Sequence, residues 1–260
     1  MDDANILQSF FFTQINRNPD QEAVYDFESG AHYTYRDLGV RACRLANFLK
    51  HELKILPNDR IAILSKNDMV YIDTFFSTIY TGAITTTYNA HLLPEELACM
   101  IHNEQPKAIF YEKEYEDKLL AIESKVTIQH YILLDGEENP FGPHLYQQIM
   151  YYYNTQSPWI KLNDLENIIL LMHTGGTTGI PKAAMLSCRA IYFNAVGQQN
   201  TWNLTSKDST IAYLPMFHTA TWNTLILPIL YAGGRVIIMK KFQPQTLMHL
   251  IEQEKVTVIW

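Results

Sequence analysis

The residues best suited to chemistry lie in one run, His173-Thr174-Gly175-Gly176-Thr177-Thr178-Gly179-Ile180-Pro181-Lys182. The apolar residues 168–172 precede it, and Ala183-Ala184-Met185-Leu186 follows. Its three glycines, Gly175, Gly176 and Gly179, permit positive φ and a close approach of backbone to ligand. Thr174, Thr177 and Thr178 add hydroxyl donors beside the bared amides, and Lys182 adds a full positive charge. Such a surface suits a polyanion such as the triphosphate of ATP. A plain hairpin turn also collects Gly and Thr, but reversing the chain takes only about two to five residues. A stretch this long, ending in Pro181-Lys182, exceeds that need.

Other phosphate loops fit less well. A P-loop closes with Gly-Lys-Ser/Thr at the opening of a helix. Here Ile180 and Pro181 separate Gly179 from Lys182, and the residues after Lys182 read as a strand, with helix signals only from Ser187. The Gly-x-Gly-x-x-Gly dinucleotide pattern is absent from the run. The run is a phosphate loop of a third kind.

A second group, Leu214-Pro215-Met216-Phe217-His218, closes a predicted strand. Carboxyl ends of parallel strands line the crevice in which α/β folds bind ligands. A single histidine after a strand is by itself weak evidence for catalysis. Trp222, four residues on, fits a core aromatic on a helix as well as a substrate contact. Cys188 has only Arg189 as a basic neighbour, which argues against a nucleophile. The run Tyr151-Tyr152-Tyr153 reads as aromatic packing under a connector and is given no function.

The elements that position these groups follow from periodicity. Ile6, Leu7, Phe10, Phe11 and Ile15 have helical spacing, and strand-like residues 23–27 and 32–35 flank a turn at 28–31. Leu38, Ala42, Leu45, Ala46, Leu49 and Leu53 form one helical stripe. Then strands and helices alternate: strand 61–64, a helix capped by Asn67-Asp68 and ended by Gly82, strand 83–87, a helix opened by Leu93-Pro94-Glu95-Glu96, strand 107–111, a helix near 113–124 and strand 130–134. Residues 135–164 form a long connection with a short helix at 146–153. After the glycine run, Ser187 caps a helix to about Gln199. A strand at 210–214, an apolar helix at 222–231, strand 235–239, a helix opened by Pro244 and a buried strand at 256–260 complete the chain. Alternation of this kind predicts right-handed crossovers and a mainly parallel sheet flanked by helices. A chain that stops inside an apolar strand is expected to be part of a longer protein.

Composition narrows the function class. At 260 residues and 47% hydrophobic the chain can bury a large core, and a net charge of −7 argues against a nucleic-acid surface. Cys43, Cys99 and Cys188 are odd in number and lack metal-ligand spacing, which fits a reducing compartment. No apolar run reaches the ~20 residues of a membrane span, and the start is acidic where a signal peptide is basic. A cytoplasmic location is expected.

The glycine run resembles the signature loop of the adenylate-forming (AMP-binding) enzymes, which include acyl-CoA synthetases, luciferases and peptide-synthetase adenylation domains. The usual form is Tyr-Thr-Ser-Gly-Thr-Thr-Gly-x-Pro-Lys-Gly, matched at Thr174, Gly176, Thr177, Thr178, Gly179, Pro181 and Lys182. The departures are His173 for the tyrosine, Gly175 for the serine, Ala183 for the glycine after lysine, and Cys188 for a histidine near the strand end. Pro215-Met216-Phe217-His218 is similar to the family's Pro-x-x-His pattern.

The resemblance implies the N-terminal portion of the family's large α/β domain over residues 1–260, with subregions near 1–160 and 161–260. It implies two reaction steps. A carboxylate attacks the α-phosphorus of Mg·ATP to give acyl-adenylate and pyrophosphate, and a thiol, usually that of coenzyme A, displaces AMP. Lys182 and the loop would bind the leaving phosphates and Thr174 would also touch the Mg2+, although one hydroxyl is a poor magnesium site without a carboxylate. His218 would lie by the acyl group. Trp222 looks like the gate of a fatty-acyl tunnel in some members, which favours a fatty acid, and a homodimer is compatible with the pattern. The family's adenine- and ribose-binding segment, metal-binding glutamate, hinge and lysine-bearing C-terminal domain lie past residue 260, as does most of the coenzyme A site. The 260 residues alone are therefore expected to be inactive. Loading of a carrier protein and a non-catalytic nucleotide-binding module are the alternatives.

Overall fold

The computed structural model describes residues 12–156, 164–174 and 182–260. Residues 12–17 are helical (α1), the end of the predicted first helix, whose earlier residues lie outside the described set. β1 (Glu22–Asp26) and β2 (Ala31–Thr34) form the predicted hairpin. In α2 (Tyr35–Asn47), Thr34 and Asp37 make a reciprocal capping box, and all six residues of the predicted stripe are buried through Leu53. β3 (Arg60–Leu64), α3 (Val70–Thr81), β4 (Ile84–Thr87), α4 (Pro94–Glu104), β5 (Ala108–Tyr111), α5 (Glu116–Leu120) and β6 (His130–Leu133) then alternate as the pattern predicts. Gly82, at φ 72°, ends α3 in the left-handed conformation that glycine adopts without a Cβ penalty.

β7 (His144–Leu145) is too short to leave a periodic signal, and α6 (Tyr146–Tyr152) follows it. β8 (Ile168–Thr174) and β9 (Lys182–Ser187) precede α7 (Cys188–Trp202), capped by Ser187, whose Oγ accepts the Ala190 N–H at 3.2 Å. Next come β10 (Ser209–Ala212), a wide π-helical turn at Ala220–Ile226, α8 (Leu227–Ala232), β11 (Arg235–Ile238) and α9 (Pro244–Gln253). The apolar helix predicted over 222–231 is split between the last π turn and α8. Pro228 lacks the N–H that would continue the ladder there.

Two sheets result among the described residues, in the orders β7-β6-β5-β3-β4-β8-β9 and β10-β11-β1-β2. All ladders of the larger sheet are parallel except β8–β9, so the mainly parallel α/β expectation holds. The smaller sheet draws its strands from both ends of the chain, with β1 parallel to β11. Every residue of α3 is buried, including Asp73. Arg41 of α2 neutralises that carboxylate through contacts of 2.6–3.1 Å, and the Tyr146 hydroxyl also binds it.

Two expectations change. Asp68 does support the start of α3, its Oδ1 accepting the Val70 N–H at 2.9 Å, but Asn67 does not cap; it turns away toward the other sheet. The expected strand at 256–260 is reduced to one parallel bridge, Thr210 with Val258. The N–H groups of Thr257 and Val258 both donate to the Ser209 carbonyl, which stops a regular ladder, and Ile259 and Trp260 are exposed. No described helix is long and apolar enough to cross a membrane.

Candidate nucleotide site

The glycine-rich run joins β8 to β9, the antiparallel pair at one edge of the larger sheet. Thr174 and Lys182 are register partners, so the stems set them opposite each other where the run departs. Gly175, Gly176, Thr177, Thr178, Gly179 and Pro181 lie outside the described residues, as does the side chain of Thr174. Lys182 is exposed at the start of β9.

His218 follows β10, as predicted, and is exposed. Its Nδ1 accepts the Ala220 N–H at 3.2 Å, so the neutral ring carries its hydrogen on Nε2. The turn bearing His218 is fixed from the other sheet. Asn67, just past β3, donates from Nδ2 to the carbonyls of Ala212, Leu214 and Met239 at 2.9–3.0 Å, and its Oδ1 accepts from Met216 N–H at 2.7 Å. The Thr87 hydroxyl, at the end of β4, donates to the Phe217 carbonyl at 3.0 Å. His173 donates from Nδ1 to the Thr87 carbonyl at 2.9 Å and meets Glu104 through Nε2. The two predicted motifs are thus brought to neighbouring strand ends. Thr87 and Glu104 leave no local signal, and Asn67 gives only that of a helix cap, because each acts through a partner distant in the chain.

Beside the turn that bears His218 opens a cavity of about 470 Å³ lined by Lys66, His91, Tyr213, Phe217, Lys240 and Phe242 among others, with no described residue of β8 or β9 in its wall. It receives residues from the carboxyl ends of β3, β4, β10 and β11, the placement expected of a ligand crevice. Its cations are partly balanced: Lys66 pairs with Glu114 at 2.5 Å, and Lys240 lies 3.3 Å from Glu112 and 3.8 Å from Asp68.

Trp222 is buried, edge-on to Phe75 with ring centroids 5.2 Å apart, and its indole N–H has no partner among the described residues. Cys188 is buried, and loss of solvent pushes its thiol up to about 12, the opposite of an activated nucleophile. Among the described residues no three His, Cys, Asp or Glu side chains gather as a metal site. These residues therefore do not by themselves make a magnesium site.

The sequence profile described as AMP-binding enzyme matches residues 11–260. The chain belongs to the AMP-binding enzyme family. Within the family it is 28% identical over 231 residues to feruloyl-CoA synthase of Amycolatopsis sp, covering 89% of this chain and 44% of that protein. It is 27% identical over 261 residues to 4-coumarate--CoA ligase 1 of Arabidopsis thaliana, covering 97% and 46%. The chain thus spans less than half the length of these curated relatives. Among solved structures, a long-chain-fatty-acid-CoA ligase (FadD1) from Archaeoglobus fulgidus superposes with TM-score 0.87 at 19% identity, over 96% of this chain and 50% of that one. ATP-bound MatB from Rhodopseudomonas palustris gives 0.81 at 24%, over 97% and 48%. These two superpositions show a shared fold.

Proposed function

We propose that the full-length protein activates a carboxylic acid with ATP and transfers the acyl group to coenzyme A. The observation that carries this reading is the adjacency of the Thr174–Lys182 stems to the His218 turn, linked through His173, Thr87 and Phe217. In the first step a carboxylate oxygen bonds to the α-phosphorus while the bond to the bridging oxygen of the leaving pyrophosphate breaks. Lys182 and the amides of residues 175–179 hold the departing phosphates in line by charge-assisted hydrogen bonds. His218 orients the acyl carboxylate and excludes water. Thr174 would lie beside the Mg2+ that accompanies ATP, which would offset phosphate charge, and the carboxylate ligand such an ion needs is not supplied by the described residues. In the second step the coenzyme A thiolate attacks the acyl carbon and AMP leaves.

Fatty acids are the proposed substrates on account of Trp222 acting as a tunnel gate. A second reading, an arylpropenoic acid, is favoured by the feruloyl- and 4-coumarate-specific names of the curated relatives. A cytoplasmic location accompanies either. Carboxylate-dependent exchange of labelled pyrophosphate into ATP, run on the full-length protein with a panel of fatty and aryl acids, tests the reaction and ranks the acids. Absence of exchange with every acid would favour a non-catalytic nucleotide-binding module. Acyl transfer to a carrier protein but not to coenzyme A would replace the acceptor. Residues 1–260 alone are expected to show no turnover.

A further inference from the structure

We infer that His173 and Glu104 form a part-buried relay that holds the entrance of the glycine-rich run in register with the His218 turn, and are positioning residues for ATP. The inference rests on the reading of residues 174–182 as the seat of the ATP tail.

The parallel ladder between β4 and β8 has its last register pair at Thr87 and Met172. His173 is the next residue, where the backbone of β8 leaves that pairing and enters the run. There its side chain takes over the grip. A carbonyl oxygen only accepts, so Nδ1 carries a hydrogen and gives it to the Thr87 carbonyl at 2.9 Å. This orientation turns Nε2 to Oε1 of Glu104, the last residue of α4. The other carboxyl oxygen, Oε2, accepts the Thr86 hydroxyl at 2.7 Å. The imidazole and carboxyl are 9% and 11% exposed, and the Tyr88 ring lies 5.5 Å from the His173 ring.

Every side-chain polar atom of the pair therefore has a partner, and the two groups that His173 binds belong to β4 and α4, not to β8 itself. From Thr87 the connection continues, since its hydroxyl holds the Phe217 carbonyl next to His218. A part-buried imidazole–carboxyl contact carries a desolvation cost that an apolar pair would avoid. What it supplies is direction: one rotamer of His173 fixes the strand exit and Thr87 together. The family's usual tyrosine at this position cannot offer two ring nitrogens to two elements.

The test is ATP affinity at equilibrium, measured by calorimetry on the full-length protein, together with KM for ATP and kcat per active site in pyrophosphate exchange. Glu104→Ala is expected to weaken ATP binding about tenfold and to raise KM correspondingly, with kcat per active site changed less than about threefold. Glu104→Gln keeps an oxygen for Thr86 and offers an N–H to Nε2, and is expected to recover affinity to within about threefold. Thr86→Val, a milder cut in the same chain, is expected to lose about threefold and serves if Glu104→Ala does not fold. The double variant Glu104→Ala/His173→Phe should be no weaker than the worse single one, because the two act as one unit. Unchanged ATP affinity in folded Glu104→Ala and Thr86→Val, with loss confined to active-site content or melting temperature, would overturn the relay. Lys182→Ala separates the two readings. Loss of affinity there but not in Glu104→Ala overturns the relay alone, and loss in neither overturns the ATP seat as well.

Discussion

The backbone N–H of Met216 donates to Oδ1 of Asn67 across 2.7 Å, although 149 positions separate them in the chain. With Nδ2 of the same carboxamide on the Ala212, Leu214 and Met239 carbonyls, one side chain pins the ends of β10 and β11 to the end of β3. Asn67→Asp would keep the acceptor for Met216 but set a carboxylate against three carbonyl oxygens in a buried place. We expect it to destabilise the fold by about 2–4 kcal/mol at pH 7.5, and by less at pH 5, where a protonated carboxyl regains one donor. Urea unfolding at the two pH values reads this out, and equal costs at both would contradict it.

Lys182 stands where the glycine run rejoins the sheet, opposite Thr174. Lys182→Ala in the full-length protein should lower carboxylate-dependent pyrophosphate exchange at least about tenfold, roughly 1.4 kcal/mol of transition-state stabilisation. Unchanged exchange would remove Lys182 from the phosphate-binding role.

Asp68 makes stability depend on pH in a defined direction. Burial pushes its carboxyl up to about 6, against the lowering effects of the Val70 N–H and Lys240. A carboxyl raised in the fold binds its proton more tightly there than in the unfolded chain. Its favourable contribution is complete below pH 3.8 and is lost as pH rises through about 6. Asp68→Asn escapes this loss. Relative to the parent it should gain about 1–2 kcal/mol between pH 4 and pH 7.5, a figure discounted because the side chain is 27% exposed. Denaturant unfolding of both proteins across that range checks the sign.

The Asp73 side chain is 1% exposed and Arg41 is its counter-ion. Asp73→Ala should cost about 3–5 kcal/mol, because it strands a buried guanidinium, whereas Asp73→Leu with Arg41→Met should recover most of that. Chemical denaturation of the single and double variants distinguishes the two, and a double variant as unstable as the single would show that the pair stabilises the fold in itself.

Much of the fold was legible in the chain. The stripe from Leu38 to Leu53, the alternation from residue 61 to 133, the Ser187 cap and the Gly82 stop are local signals, and each sits where periodicity or cap chemistry puts it. Pattern and structure part where local and tertiary demands differ. Residues 256–260 carry strand composition, but strand formation needs a ladder, and Thr257 and Val258 both spend their N–H groups on one Ser209 carbonyl. Asn67 precedes a helix and resembles a cap, yet its carboxamide is drawn to carbonyls of the other sheet.

From sequence alone one could infer which residues are suited to phosphate chemistry, because Gly, Thr and Lys at fixed spacing offer backbone freedom and charge that are local properties. Tertiary structure alone decided what holds them. That His173 faces Glu104, that Thr87 holds Phe217 and that Asn67 spans two sheets depend on strand order, and strand order is set by burial summed over the whole chain.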